Sequence, residues 1–240
     1  MKIAITFGGL ICFLSVIITA TARNVYLERG TYNMFEDFLE KFKEVLRTGN
    51  DTFGIPVLDP FTADELPIAI DEDFLKLDGL LTNVRLEGLS GYDVNSGDFK
   101  IAGLKLTMDL SWPSIVASTN YSINGNASNF QIYGHGEMKA AARDFSFEGE
   151  VVFGINGEYL KVKSVGMKIS LREFEFHATG IYDDDELSEL LSAIISDMVP
   201  QLIQDYHDTI TEIAGLLVID KLNEFLSTMT LVELLKLIGL

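Results

Sequence analysis

Few side chains in this sequence could carry out chemistry, and they do not cluster. The three histidines, His135, His177 and His207, are far apart, and none forms the HExxH spacing that places two imidazoles on one helix face for zinc. Neither a GxSxG nucleophile turn nor a phosphate-binding glycine loop occurs. We therefore predict that the protein is not an enzyme, that it has no catalytic residue, and that it holds neither a metal ion nor another cofactor.

An acidic run at 183–186, DDDE, is a dense group of potential calcium ligands. It lacks the alternating spacing of a calcium-binding loop. Carboxylates are favoured in the first turn of a helix, where the backbone dipole is positive. The run is therefore interpreted as the start of a helix, with His207 on the polar face of that helical segment. His135, which stands between two glycines, is expected to be exposed or half-buried.

Three sites for covalent modification and a leader segment point to the secretory pathway. Asn50, Asn120 and Asn126 each precede Thr or Ser by two residues, in polar surroundings typical of turns, and are predicted N-glycosylation sites. Residues 1–22 have a positive start, an apolar run at 3–18 and the small residues Ala-Thr-Ala at 20–22, which is the layout of a signal peptide. We predict cleavage after 1–22, a single mature domain at 23–240 and a secreted, extracellular glycoprotein.

The alternative for the leader is a membrane anchor. Thr6, Gly8 and Ser15 interrupt its apolar run, and no later segment approaches the ~20 uninterrupted apolar residues that a spanning helix needs. We therefore expect no transmembrane anchor. The only cysteine, Cys12, lies in the leader. A mature chain without cysteine must be stabilised by burial alone, which argues against a small disulfide scaffold.

The charge balance excludes some partners. With 36 acidic against 18 basic residues, the net charge is −18, so a polyphosphate would be repelled and nucleic acid is excluded as a partner. Binding to anionic lipid headgroups through a basic patch is excluded on the same ground. An apolar small molecule or a basic protein partner remains possible. The simpler interpretation is that the charge keeps an apolar-rich domain soluble.

The hydrophobic periodicity predicts a helix followed by a long antiparallel sheet. Apolar residues recur three and four apart from Met34 to Leu46, with Asn33 and Glu36 as a capping pair and Gly49 as the stop. From residue 66 to about 182 the period is two, which indicates strands with one dry and one wet face. A parity slip at 164–166 predicts a β-bulge. Glycine- and asparagine-rich triplets at 95–97 and 124–126 predict hairpin turns.

The segment after 186 predicts the element that covers the dry face of the sheet. Its apolar residues extend to Ile213 and spread over about 200° of a helix, roughly twice the stripe of a surface helix. A helix apolar over so much of its girth is expected to be wrapped by the sheet. Pro200 should kink it and Gly215 end or bend it, with one or two short amphipathic helices in 216–240. About 28 helical residues span ~42 Å, which matches strands of about 11–13 residues.

The segment between the first helix and the sheet carries a family resemblance. GIPVLDP at 54–60 follows the amphipathic helix and precedes a strand at 77–88 that contains Asn83 and ends in Gly88-Leu89. This combination resembles the insect juvenile-hormone-binding and takeout family, and the chain is also similar to the mite group 7 allergens. Both groups belong to the tubular lipid-binding superfamily.

The resemblance implies an α+β fold in which a long helix is wrapped by a highly curved antiparallel β-sheet, with an apolar channel between them. The hormone binders usually carry a disulfide near the mature N-terminus, which this chain cannot form. The implied ligand is therefore a broader class of apolar molecules, such as a terpenoid, a fatty acid or another lipid.

The proline segment at 53–61 has two interpretations. Pro56 and Pro60 fix their own φ angles and push Ile55 and Asp59 towards an extended conformation. A stiff strap that carries apolar side chains across one end of the roll could shape the mouth of the channel. The alternative is a loop that stops the helix and buries a few apolar groups.

These observations predict a carrier of hydrophobic small molecules. Core packing needs the same residue types as a pocket, so the pattern by itself does not separate a hollow roll from a filled one. The alternative is a protein- or membrane-interaction module that uses its C-terminal amphipathic helices without ligand transport, with a protein partner or weak self-association. The candidate ligand-lining residues are Phe38, Phe42, Leu58, Phe61, Phe145, Phe147, Phe153, Met167, Phe174, Phe176, Ile194, Met198, Leu202 and Tyr206.

Overall fold

The structure, a computed structural model, describes residues 34–50, 55–72, 75–156 and 159–226. The predicted signal peptide, the capping residue Asn33, residues 53–54 of the proline segment and the tail beyond 226 lie outside the described residues. The elements follow one another as α1 (Met34–Thr48), β1 (Phe61–Glu72), β2 (Leu75–Glu87), β3 (Asp93–Lys100), β4 (Lys105–Ala127), β5 (Phe130–Asn156), β6 (Tyr159–Ala178), α2 (Asp185–Asp205) and α3 (His207–Leu226).

The strands form one six-stranded antiparallel sheet in the order β1-β2-β4-β5-β6, with β3 paired to the first part of β4. β5 is 27 residues long and β4 is 23. A straight strand of that length would span roughly 90 Å. The apolar face of the sheet has to be shielded from water, and strands of this length can shield it only if they curve. The highly curved antiparallel sheet and the α+β class are as predicted.

Two details of the strand predictions are settled by the register. Val152 pairs with Ser164 and Phe153 with Val162, so Lys163 is the extra residue of a bulge beside the predicted position. The predicted turns at 95–97 and 124–126 are wrong, because both triplets lie inside strands and the β4–β5 reversal is at 128–129. Glycine serves close packing there instead. A Cβ on Gly97 would lie 2.9 Å from Leu39, and one on Gly125 would lie 2.1 Å from the Lys76 carbonyl.

One end of the sheet is packed solid by α1. Its apolar face lies against β3 and β4, and Phe42 and Leu46 are fully buried. Two polar side chains inside this core are satisfied by carbonyls: the Tyr92 hydroxyl donates to Leu39 at 2.5 Å, and the Trp112 ring nitrogen donates to Leu89 at 3.0 Å. We call this cluster the solid end. Its fully buried members also include Phe35, Phe38, Ile55, Leu58, Leu106, Met108, Leu110, Phe147, Val151, Phe153, Leu160, Val162, Val218, Leu222 and Leu226.

The proline segment ties α1 to the sheet. The backbone amides of Leu58 and Asp59 donate to the Leu46 carbonyl at 2.8 and 2.9 Å, which satisfies an orphan acceptor at the helix end. The Asp59 carboxylate accepts from the amides of Gly88 and Ser90 at 2.9 and 2.7 Å and from the Ser90 hydroxyl at 2.5 Å. These contacts favour the interpretation of the segment as the stop of α1.

The C-terminal helices depart from the prediction in where they divide. The chain stays helical through Pro200 and through Gly215, and the interruption falls instead at Tyr206, whose backbone is non-helical. Asp184 caps α2 by accepting from the Leu187 amide at 2.9 Å, so the acidic run does begin a helix. The apolar residues after Gly215 continue α3 into the solid end, and for that reason no new helix begins at Leu216.

We predict that Asp59→Ala destabilises the fold by about 2–3 kcal/mol, because the half-buried Gly88 amide and the amide and hydroxyl of buried Ser90 lose their acceptor. Urea denaturation followed by circular dichroism measures this loss. Asp78→Ala, at an exposed carboxylate of β2, is the matched control and should change the free energy of unfolding by less than about 0.5 kcal/mol. Equal losses of unfolding free energy in the two variants would contradict the stabilising role of the Asp59 hydrogen bonds.

Tyr92 makes the solid end sensitive to alkali. Burial raises the pKa of Tyr92 above its ordinary value, so above pH ~10 the unfolded chain loses this proton and the folded chain keeps it. The free energy of unfolding therefore falls as the pH rises above ~10, by up to about 1.4 kcal/mol per pH unit. Tyr92→Phe should cost about 1 kcal/mol at neutral pH and flatten the alkaline loss. Parallel curves of urea midpoint against pH for the two proteins would contradict this.

Candidate ligand-binding site

The inner face of the sheet has two halves, which meet at a line across three strands. Residues paired across antiparallel strands share a face. On one side of the line Trp112, Phe145 and Leu171 are paired across β4, β5 and β6, and they continue the solid end. The line itself runs through Pro113, Asp144 and Arg172, and Asp144 has a φ of 49°.

Beyond this line the apolar parity of all three strands shifts by one residue. The first two rows of paired inward-facing residues beyond the line are Ile115–Ala142–Phe174 and Ala117–Ala140–Phe176. The side chains in this half are only half-buried, in contrast to the solid end. We call it the open half of the inner face, and it comprises Leu66, Ile68, Leu77, Leu81, Ile115, Ala117, Thr119, Ile123, Met138, Ala140, Ala142, Phe174 and Phe176.

Short side chains form the middle of the open half. Ala117, Thr119, Ala140 and Ala142 occupy neighbouring positions on β4 and β5. Alongside them on β6, Phe174 and Phe176 are stacked with their ring centroids 6.4 Å apart. Small residues thus stand where the solid end has Trp, Phe and Leu, and aromatic side chains lie beside them.

The helix α2 is fixed to the edge of β6 and presents a further apolar row. Its buried side chains, Ser188 and Ser192, bind the β6 edge, and half-buried Leu191 and Ile195 lie next to them around the helix. Beyond these, an apolar row at spacings of four remains 40–57% exposed. We call it the exposed row of α2, and it comprises Leu190, Ile194, Met198, Leu202 and Tyr206. Apolar side chains of helix and sheet thus both remain incompletely covered.

The predicted lining residues divide between these regions. Phe38, Phe42, Leu58, Phe147 and Phe153 are buried in the solid end, and Phe61, Phe145 and Met167 pack against it half-buried. The remaining six lie in the open half or the exposed row, namely Phe174, Phe176, Ile194, Met198, Leu202 and Tyr206. The sequence analysis missed the alanines and Thr119. The alternation of Ile115, Ala117 and Thr119 was available as a signal, but small residues alone do not indicate a pocket.

The polar candidates are spread over other surfaces. His135 and His177 are exposed, and His135 Nδ1 lies 3.5 Å from Asp183. His207 Nε2 accepts from the Ile169 amide at 3.3 Å, so this imidazole binds the edge of β6. Within the part of the chain that the structure describes, no three His, Cys, Asp or Glu side chains come together as a metal site.

The sequon of Asn120 lies inside β4, whereas that of Asn126 runs from the end of β4 into the turn at 128–129. Asn120 and Asn126 are exposed residues inside β4, on the outer face of the sheet. Asn50 exchanges two backbone hydrogen bonds with Ile55, at 2.7 and 2.9 Å. The expectation of a turn is therefore wrong at Asn120, whose sequon lies wholly in the paired strand, but Ser128 of the Asn126 sequon does lie in a turn. Residues 51–52 of the Asn50 sequon lie outside the described residues. Their use as glycosylation sites stays a prediction.

The electrostatics of the open half are those of an uncharged surface. Its residues include no ionised side chain, and Tyr121 at its far end donates to the Thr179 carbonyl at 2.8 Å. Burial raises the pKa of Tyr121, which keeps the phenol neutral. Charges occupy the outer face, where Arg143 donates to Glu175 at 2.7 Å and this hydrogen bond lowers the pKa of Glu175. The described helices include none long and apolar enough to cross a membrane.

A curved antiparallel sheet with an uncharged, half-covered inner face and a helix along its edge offers the kind of apolar concave surface on which ligand sites are usually built. Residues 15–236 match the family model described as haemolymph juvenile hormone binding protein, and the chain belongs to this family. The resemblance found in the sequence is thereby confirmed.

A solved structure shows the same fold. The crystal structure of Epiphyas postvittana Takeout 1 matches with a TM-score of 0.56 and 18% identity, over 83% of this chain and 92% of that one. A crystal structure of lipopolysaccharide binding protein matches with a TM-score of 0.32 and 12% identity, over 84% of this chain and 38% of that one. No curated protein sequence matches the chain.

Proposed function

We propose that the protein is a secreted, non-enzymatic carrier of hydrophobic small molecules, bound between the open half of the inner face and the exposed row of α2. The observation that carries this proposal is the contrast in burial along one continuous sheet face. The solid end is closed by α1, whereas the open half keeps its apolar side chains partly accessible. Membership of the juvenile hormone binding protein family supports the same function.

The proposed mechanism of binding is desolvation. Apolar ligand surface that leaves water contributes roughly 25 cal/mol per Å², and the half-exposed side chains of the site gain a similar amount. Thr119 and Tyr121 are the polar side chains nearest the site, and both hydroxyls already donate to backbone carbonyls at 2.9 and 2.8 Å. Few polar groups remain to select a ligand, so we expect broad selectivity among molecules of suitable size.

The ligand should be uncharged. A buried carboxylate needs a cation or several donors, and the residues of the open half and the exposed row supply no cation. The overall charge of −18 further disfavours anions. Terpenoids, esters and other neutral lipids fit this surface better than ionised fatty acids. Juvenile hormone is one candidate of this kind.

The alternative of an interaction module receives less support. Val218, Leu222 and Leu226 of α3 are buried in the solid end, so these apolar residues are not free to dock a partner. Residues 227–240, where the remaining tail leucines occur, lie outside the described residues. We also propose that 23–240 forms a single domain, with glycans at Asn120 and Asn126 on the outer face.

A pair of neighbouring substitutions on opposite faces of β4 tests the site. Ala117→Trp fills the space over the open half, whereas Val116→Trp adds the same side chain at an outer-face position that is 41% exposed. We expect Ala117→Trp to weaken binding of the neutral probe N-phenyl-1-naphthylamine at least tenfold and Val116→Trp to leave it unchanged. Fluorescence titration measures both. Equal affinities in the two variants would place the probe elsewhere and refute the site.

Competition between two matched lipids tests the charge rule. Methyl oleate and oleate differ in little besides the ionised carboxylate, so at pH 8 we expect the ester to displace the probe at a concentration at least tenfold lower. Comparable displacement by the two lipids would contradict the uncharged site. Native mass spectrometry of the purified protein complements this measurement, and finding no lipid together with no probe uptake would reject the carrier function.

A further inference from the structure

The most buried side chains of α2 carry hydroxyl groups, and its apolar side chains are at most half-buried. Its fully buried side chains are Ser188 and Ser192, at 3% and 4% exposure. Ser196, one turn further, continues their row. Serine side chains bury little apolar area, so hydrophobic docking of α2 depends on half-buried side chains such as Leu191 and Ile195.

The three serines form a ladder with the free edge of β6. Their Oγ atoms accept from the backbone amides of Ile181, Ala178 and Phe176 at 2.9, 3.0 and 2.8 Å respectively. Ser188 and Ser196 also donate to carbonyls of their own helix, at 2.6 and 2.9 Å. The row thus satisfies amides that an edge strand would otherwise present to water or to another chain. We call these hydrogen bonds the serine ladder.

The next helix, α3, is held quite differently. Val218, Leu222 and Leu226 are at most 3% exposed and belong to the solid end. Asn223 Oδ1 adds a hydrogen bond of the same kind as the ladder, from the Val162 amide at 2.8 Å. Between the two helices Tyr206 breaks the helical backbone, with φ −107° and ψ 19°. One helix is therefore anchored in the core and its neighbour is not.

We infer that α2 is a lid over the proposed ligand site, hinged at Tyr206 and latched to β6 by the serine ladder, with Ser188, Ser192 and Ser196 as positioning residues. Opening exchanges each ladder hydrogen bond for one to water, which changes little in free energy. It exposes the covered parts of half-buried side chains such as Leu191 and Ile195, whereas the exposed row of α2 is already accessible. Release of α3 would uncover three buried apolar side chains, so α3 stays in place.

This lid gives ligands a way in that leaves the sheet intact. When α2 is latched, its exposed row and the neighbouring Leu191 and Ile195 cover the ligand. When the ladder opens, the border of the open half along β6 becomes accessible. The inference depends on the proposed function for its purpose, but the motion itself can be measured without a ligand.

Hydrogen exchange of the full chain tests the motion. In the wild-type protein we expect the amides of α2 and of Phe176, Ala178 and Ile181 to exchange through an opening that leaves α3 protected. Ser192→Ala/Ser196→Ala should speed this exchange at least tenfold. Asn223→Ala, which removes one matched bond in the anchored helix, should leave exchange in α2 unchanged. Exchange of α2 and α3 as one unit in the wild-type protein would overturn the lid.

Stopped-flow kinetics with N-phenyl-1-naphthylamine test what the lid controls. Ser192→Ala/Ser196→Ala should raise the association and dissociation rates together, each at least tenfold, with less than a threefold change in Kd, and Asn223→Ala should keep wild-type rates. A purely structural role of the serines would not produce this pattern. If Ser192→Ala/Ser196→Ala speeds hydrogen exchange but leaves the association and dissociation rates unchanged, the proposal is overturned. If the wild-type protein binds no probe, the carrier function fails, and the exchange experiment still decides the lid.

Discussion

The free amide edge of β6 is the constraint on which the arrangement of the C-terminal half depends. An edge strand of 20 residues needs hydrogen-bond partners or protection along its length. Side chains of both helices provide them. The serine ladder covers the last third of the edge, His207 binds Ile169 near its middle, and Asn223 binds Val162 near its start. These bonds fix how each helix is rotated, and they leave the exposed row on the side of α2 that is turned away from the ladder.

The line through Pro113, Asp144 and Arg172 has an equally large effect on what the sheet can do. Because three neighbouring strands change apolar parity there together, the sheet keeps its register while its covered face is re-formed from a different set of residues. On one side these residues have large or aromatic side chains, and α1 covers them. On the other side they are rich in alanine, and α2 is the helix alongside. One sheet thus forms a packed core on one side of the line and the proposed binding surface on the other.

Sequence periodicity was sufficient to predict the helices and strands but not how deeply each inward-facing side chain is buried. It placed α1 between Met34 and Gly49 and the bulge beside Ser164, because both depend on local patterns. It also identified which side chains face inward, but parity does not tell how much lies above them. Phe147 and Phe176 have similar patterns in the sequence, yet the first is buried in the solid end and the second is half-buried. The break at Tyr206 had no sequence signal comparable with Pro200 or Gly215, since it follows from the anchoring of α3.

The partly covered face has a thermodynamic consequence for the molecule as a whole. The heat-capacity increment of unfolding scales with the apolar surface newly exposed to water. The open half already contacts water in the folded chain, so this increment is smaller than for a filled roll of equal length, and the curve of stability against temperature is correspondingly flat. A bound ligand that displaces this water would raise the heat-capacity increment of unfolding and increase the curvature of stability against temperature. Calorimetry would therefore detect the ligand even where it has no spectroscopic signal.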